Sequence, residues 1–151
     1  MAMGDETRVA IERDADLVPA RAEARALARK LGFSRTDATL IATAVSEIAR
    51  NIVVHAGEGE LELRGIDEGD RCALVVVARD EGPGIPDVRG ALEDGQGWGS
   101  GLGLGLPGAR RLMDEFELHS EVGRGTTVRM TKWRSRDELE RLREARRTAR
   151  P

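Results

Sequence analysis

Glu47 and Asn51 in "VSEIARNIVVHAG" (residues 45–57) stand four apart, so a helix would place a carboxylate and an amide on one face. That pair suits phosphate chemistry. The amide oxygen is a neutral hard ligand for a hydrated Mg²⁺, and the carboxylate accepts the proton of an attacking hydroxyl. A second stretch, "ARDEGPGIPD" (78–87), closes an apolar run with Asp80 and continues into Gly82-Pro83-Gly84. A carboxylate there is an acceptor for an exocyclic amine such as that of adenine, and the glycines let the backbone approach a flat ligand. A third, "GSGLGLGLPG" (99–108), has glycine at every second position before Pro107. Backbone N–H groups of Gly101, Gly103 and Gly105, with a helix N-terminus just beyond, make a cradle for anions. Taken singly, the first stretch also reads as a solvated helix face and the second as a surface turn.

The other phosphate-binding loops fail on context. A Walker A loop needs a lysine after its last glycine, and the lysines of this chain, Lys30 and Lys132, lie elsewhere. A dinucleotide fingerprint follows directly on an apolar strand, whereas "LEDGQGW" (92–98) precedes these glycines. A flexible linker would not run straight into a proline and an apolar helix, with Leu102, Leu104 and Leu106 in register to anchor it.

The elements that must hold these residues are legible around them. "TRVAIE" (7–12) alternates as a strand, and the alanine-rich "VPARAEARALARKLGF" (18–33) predicts a helix. Ser34, with Asp37 three residues on, caps a second helix whose Ile41, Val45, Ile48 and Ile52 form one buried stripe. "GELELRG" (59–65) and "CALVVVA" (72–78) make a hairpin around Glu68-Gly69-Asp70. "PGARRLMDEF" (107–116) predicts a helix, and "FELHSEVG" and "GTTVRMTKW" are strands joined at Gly123-Arg124-Gly125. The class is α+β, without an internal repeat.

Composition removes several function classes. A chain of 151 residues is one domain's length. With 27 acidic against 24 basic side chains the net charge is -3, which offers no cationic field for nucleic acid. An aromatic content of 3% without tyrosine excludes a stacking platform for single strands. His55, His119 and Cys72 are too few for a zinc set, and His55 reads as a capping or packing residue. Neither a signal peptide nor a membrane span is evident, so a cytoplasmic location and no membrane partner are expected. The H-R-D and D-F-G signatures of the eukaryotic-type kinase fold are absent.

All three stretches occur in order and "GRGTTVRM" (123–130) follows them. Together they resemble the GHKL ATP-binding superfamily, which includes histidine-kinase catalytic domains, gyrase-type and Hsp90-type ATPases, and bacterial anti-sigma kinases. "SEIARNIVVHAG", "DEGPGIPD" and "GLGLGLPGARRLMDEFELHSEVGRGTTVRMTKW" are most similar to the serine/threonine switch kinases of bacterial stress signalling. The resemblance implies a two-layer α/β sandwich, a mixed sheet with helices on one face, over residues 1–133. It implies ATP and Mg²⁺ as ligands, with Glu47 as catalytic base and Asn51 as the Mg²⁺ ligand. Asp80 would take the adenine amine, Gly82 and Gly84 would shape the pocket, and Thr126 or Thr127 would support it. The run Gly101, Leu102, Gly103, Leu104 and Gly105 would wrap the phosphates, and 87–99 would form a lid. The lid carries Trp98, a departure from the family's pattern that reads either as a cover for nucleotide or partner or as a hydrophobic plug.

The same resemblance implies phosphorylation of a serine or threonine on a small STAS-domain antagonist and on stressosome scaffold proteins. When released, such a kinase activates a metal-dependent serine phosphatase or another output protein. Two alternatives share the motifs: an anti-sigma factor that binds its sigma factor directly, and a nucleotide-dependent interaction module without phosphotransfer. Residues 134–151 hold seven arginines against four acids and predict a charged C-terminal helical tail.

Overall fold

The computed structural model describes residues 2–93, 105–136 and 138–149. Strand β1 (Ala2–Ile11) leads into helices α1 (Leu17–Lys30) and α2 (Arg35–Asn51), and a π-helical turn, Ile52–Ala56, extends α2. Strands β2 (Gly59–Asp67) and β3 (Arg71–Asp80) follow, then short helices α3 (Val88–Leu92) and α4 (Gly105–Leu112). Strands β4 (Glu115–Glu121) and β5 (Gly125–Ser135) and helix α5 (Glu138–Ala149) complete the chain.

The strands form one sheet in the order β1-β2-β3-β5-β4, and every neighbouring pair is antiparallel. The α+β class holds, but the expected mixed sheet does not. The crossover from β3 through α3 and α4 sets β4 down parallel to β3 but one place away. The β4–β5 hairpin then returns β5 into the gap, antiparallel to both.

Each layer has a local cause. Ser34 Oγ accepts the Asp37 amide at 3.0 Å, the expected cap, and the stripe Ile41, Val45, Ile48 and Ile52 is buried throughout. Alternation in the strands sends Leu61, Leu63, Leu74, Val76, Val128 and Met130 into the same core. Helix α1 stops earlier than its composition predicts. The Gly32 amide turns back to Arg29 O and the Phe33 amide to Ala28 O, both at 3.0 Å, a Schellman closure that delivers Phe33 to the core.

Helix α4 ends at Leu112, not 116, because pairing with β5 captures the next residues. The Asp114 amide donates to Thr131 O at 2.9 Å, its carboxylate accepts the Trp133 amide at 2.7 Å, and Phe116 lies within β4. At the other end β5 runs on to Ser135. Arg134 pairs with Glu140 at 2.6 Å and Arg136 with Asp67 at 2.7 Å, tying α5 and the segment before it to the domain. Among the described residues no helix is long and apolar enough to cross a membrane.

Candidate functional site

The site begins where α2 changes pitch. Asn51 is its last α-helical residue, and the Gly57 amide reaches back five residues to Ile52 O at 2.9 Å. This wider turn brings His55 and Ala56 to the same cavity as Asn51 and Ile52. The cavity encloses about 460 Å³ of empty space, its mouth included. Asn51, His55, Asp80 and Thr126 supply polar groups, and Ile48, Ile52, Ile85, Leu106 and Val128 supply apolar walls. A pocket of this make-up, apolar with a few convergent polar groups, suits a flat heterocycle.

Asp80 closes β3 and stands in register with Gly59 on one side and Thr126 on the other. One carboxylate oxygen accepts the Gly82 amide at 2.9 Å, which leaves the second for a ligand. Gly82 packs on Ala56 so closely that a Cβ would lie 2.6 Å from the alanine methyl, and at Gly84 one would lie 2.4 Å from Glu121 O. The turn is therefore a fitted piece joining β3, the π turn and the β4–β5 hairpin.

The two threonines separate. Thr126 lines the cavity, whereas Thr127, one residue on and paired with Arg79, lines a groove with Glu12, Glu60 and Arg79. Thr126 Oγ1 meets Ser120 Oγ at 2.9 Å. Ser120 also accepts the Ile85 amide at 2.7 Å and lies 3.2 Å from Gly125 O, so the two hydroxyls belong to one network that reaches the loop after Asp80. Sequence reading missed Ser120. Its signal was present in "FELHSEVG", where Ser120 falls on the face of Phe116 and Leu118 and is polar at a position expected to be apolar.

Glu47 is 5% exposed, and its carboxylate accepts the Gly105 amide at 2.9 Å. The start of α4 is thus fastened to α2 one turn before Asn51. Gly101, Leu102, Gly103 and Leu104 lie outside the described residues, as do 94–99 of the expected lid with Trp98. Residues 88–92 of that lid form α3, capped by the Asp87 carboxylate on the Gly90 amide at 2.9 Å.

His55, expected as a capping or packing residue, stands in the last turn of the π helix and lines the cavity. Burial pushes its imidazole below the usual 6.5, and the Asp80 carboxylate opposes that shift. In the window between the lowered value and 6.5 the unfolded chain holds a proton that the folded chain lacks. Stability contributed by this group is complete above 6.5 and falls as pH drops through that window. Titration of His55 by NMR is expected to give a value below 6.5, and a His55→Gln variant to lose that part of the stability slope.

Asn51 also tests the fit of a divalent cation. Its Nδ2 is buried with no partner, so the amide has unmet hydrogen-bonding capacity and nothing in the protein fixes which way it faces. Among the described residues no group of three or more His, Cys, Asp or Glu is placed to hold a metal. A Mg²⁺ that keeps its waters and takes most ligands from substrate phosphates needs only such a single amide, so the residues present fit it.

Comparison with known proteins shows the family of this fold. The family described as histidine kinase-like ATPase domain matches residues 11–132. The chain is 45% identical over 131 residues to the serine/threonine-protein kinase RsbT of Bacillus subtilis, covering 87% of this chain and 98% of that protein. An anti-sigma F factor of a Thermoanaerobacter species is 33% identical over 125 residues, covering 76% of this chain and 82% of the relative. The serine-protein kinase RsbW of Bacillus licheniformis is 34% identical over 125 residues, with 76% of each chain covered.

Proposed function

The chain belongs to the histidine kinase-like ATPase domain family, and from that premise we propose that it is a partner-switching protein serine/threonine kinase with ATP as phosphoryl donor. One observation carries the reading. Asn51 and Asp80 share a cavity, and Glu47 lies one turn before Asn51 on the same helix, against the start of α4. Asp80 receives the adenine amine, Asn51 faces the phosphates, and Thr126 supports the base through its bond to Ser120. Gly101 to Gly105 and the α4 N-terminus wrap the phosphates. Asn51 holds the Mg²⁺, which neutralises phosphate charge when bound.

The chemistry left to the protein is brief. Glu47 takes the proton of the acceptor hydroxyl. The oxygen forms its bond to the γ-phosphorus as the bond to the β–γ bridging oxygen breaks, and ADP leaves with that electron pair. The acceptors are a STAS-domain antagonist and stressosome scaffold proteins, and the released kinase activates a metal-dependent serine phosphatase or a similar output protein, in the cytoplasm. The likeness to anti-sigma F factors supports a second reading, direct capture of a sigma factor.

Incubation with labelled ATP, Mg²⁺ and STAS-domain antagonists of the same genome is the test. Label on a serine or threonine is expected, and ATP binding without label would move the protein to a nucleotide-dependent binding module. Asp80→Asn is expected to weaken ATP binding by about 10–100-fold, because the single amide oxygen cannot serve both the Gly82 amide and the adenine amine. Unchanged affinity by calorimetry removes Asp80 from the adenine site.

A further inference from the structure

Arg50 stands between the two active side chains of α2, three residues after Glu47 and directly before Asn51. It is half-buried, its Nε is shut off from solvent, and among the described residues no hydrogen bond or ion pair meets its guanidinium. The sealed Nε is a donor without an acceptor, which costs the fold stability, while the two terminal nitrogens are not among the sealed atoms and reach solvent. Glu47 does not pair with the guanidinium, although residues three apart on a helix are neighbours and side chains lean over the preceding turn. The Glu47 carboxylate is engaged by the Gly105 amide instead.

Position around the helix indicates what Arg50 meets. At about 100° per residue, Ile48 and Ile52 point to the core, Asn51 to the cavity, Glu47 comes next, and Arg50 lies beyond Glu47. Arg50 does not line the nucleotide cavity. One turn further on, Val54 is 62% exposed. Arg50 and Val54 thus stand one turn apart on the solvent-reaching side of the end of α2, next to Glu47.

We propose that Arg50 binds a carboxylate of the acceptor protein beside the serine or threonine that Glu47 deprotonates, with Val54 as the apolar contact next to it. This rests on the kinase reading above. The occupant is an acidic surface of the folded acceptor. The two terminal nitrogens of the planar guanidinium, which unlike Nε are not sealed from solvent, match a carboxylate through two parallel hydrogen bonds, and among the described residues neither has an acceptor.

The experiment uses the full chain with a STAS-domain antagonist that the wild type phosphorylates. Arg50→Gln and Arg50→Met are expected to raise KM for the acceptor by about 10–100-fold. Both kcat and KM for ATP stay within about two-fold, and Arg50→Lys recovers part of the loss. The melting temperature of Arg50→Met does not fall, because no hydrogen bond or ion pair among the described residues is lost with the guanidinium; a merely structural arginine would lower it. An unchanged acceptor KM overturns the proposal while the kinase stands. A fall in kcat with a raised KM for ATP also overturns it, and assigns Arg50 to the phosphoryl group. Absence of transfer to any acceptor by the wild type overturns the kinase reading and this proposal together.

Discussion

Glu47→Gln is expected to slow phosphoryl transfer by about 10²–10⁴-fold while ATP affinity stays within a few-fold. Glutamine keeps an oxygen to accept the Gly105 amide, so the joint between α2 and α4 survives, but it has no basic site for the acceptor proton. Glu47→Ala removes the base and that joint together, and exposes a buried amide to the loss of its partner. Its transfer rate is expected to fall at least as far, with a lower melting temperature. Single-turnover labelling at saturating ATP measures the first effect, and calorimetry the second. Transfer at the wild-type rate in the glutamine variant would take the role of base away from Glu47.

Gly125→Ala is the second large effect, acting on the fold and the site at once. Gly125 has φ +133°, and a Cβ there would lie 2.1 Å from Asp80 O and 2.9 Å from Glu81 Cα. The colliding atoms belong to the backbone that ends β3, so no side chain can turn aside to make room. A loss of about 2–4 kcal/mol is expected from the strained backbone and the displaced strand end. Because the displaced segment carries Asp80, ATP affinity falls as well. Gly123→Ala is the control: it also has positive φ, +84°, but nothing lies within 4 Å of its Cβ, so only about 1 kcal/mol is expected. Urea denaturation of the two variants compares them, and equal midpoints would mean that the β4–β5 turn absorbs a Cβ at both positions.

The motifs were legible because each is local. A helix puts Glu47 and Asn51 on one face wherever it lies in the fold, and the apolar spacing of Ile41, Val45, Ile48 and Ile52 dictates which other face is buried. The Ser34 cap and the β2–β3 hairpin likewise depend on residues close in the chain, and both are present. Composition and charge alone were the ground for expecting neither nucleic-acid nor zinc chemistry.

What required the tertiary structure involves residues far apart. Asn51, Asp80 and Thr126 meet only because β5 is inserted beside β3 in a register that sets Asp80 opposite Thr126. That register also decides between Thr126 and Thr127, since one residue of slip exchanges the two faces of a strand. The π turn that delivers His55 to the cavity has no pattern of its own in the sequence. It packs Ala56 against Gly82, 26 residues on. Thus the local sequence determined which chemical groups this protein carries and on which element each lies. Packing between distant segments decided which of them converge, because strand order and register come from burying the whole sheet and not from any single stretch of chain.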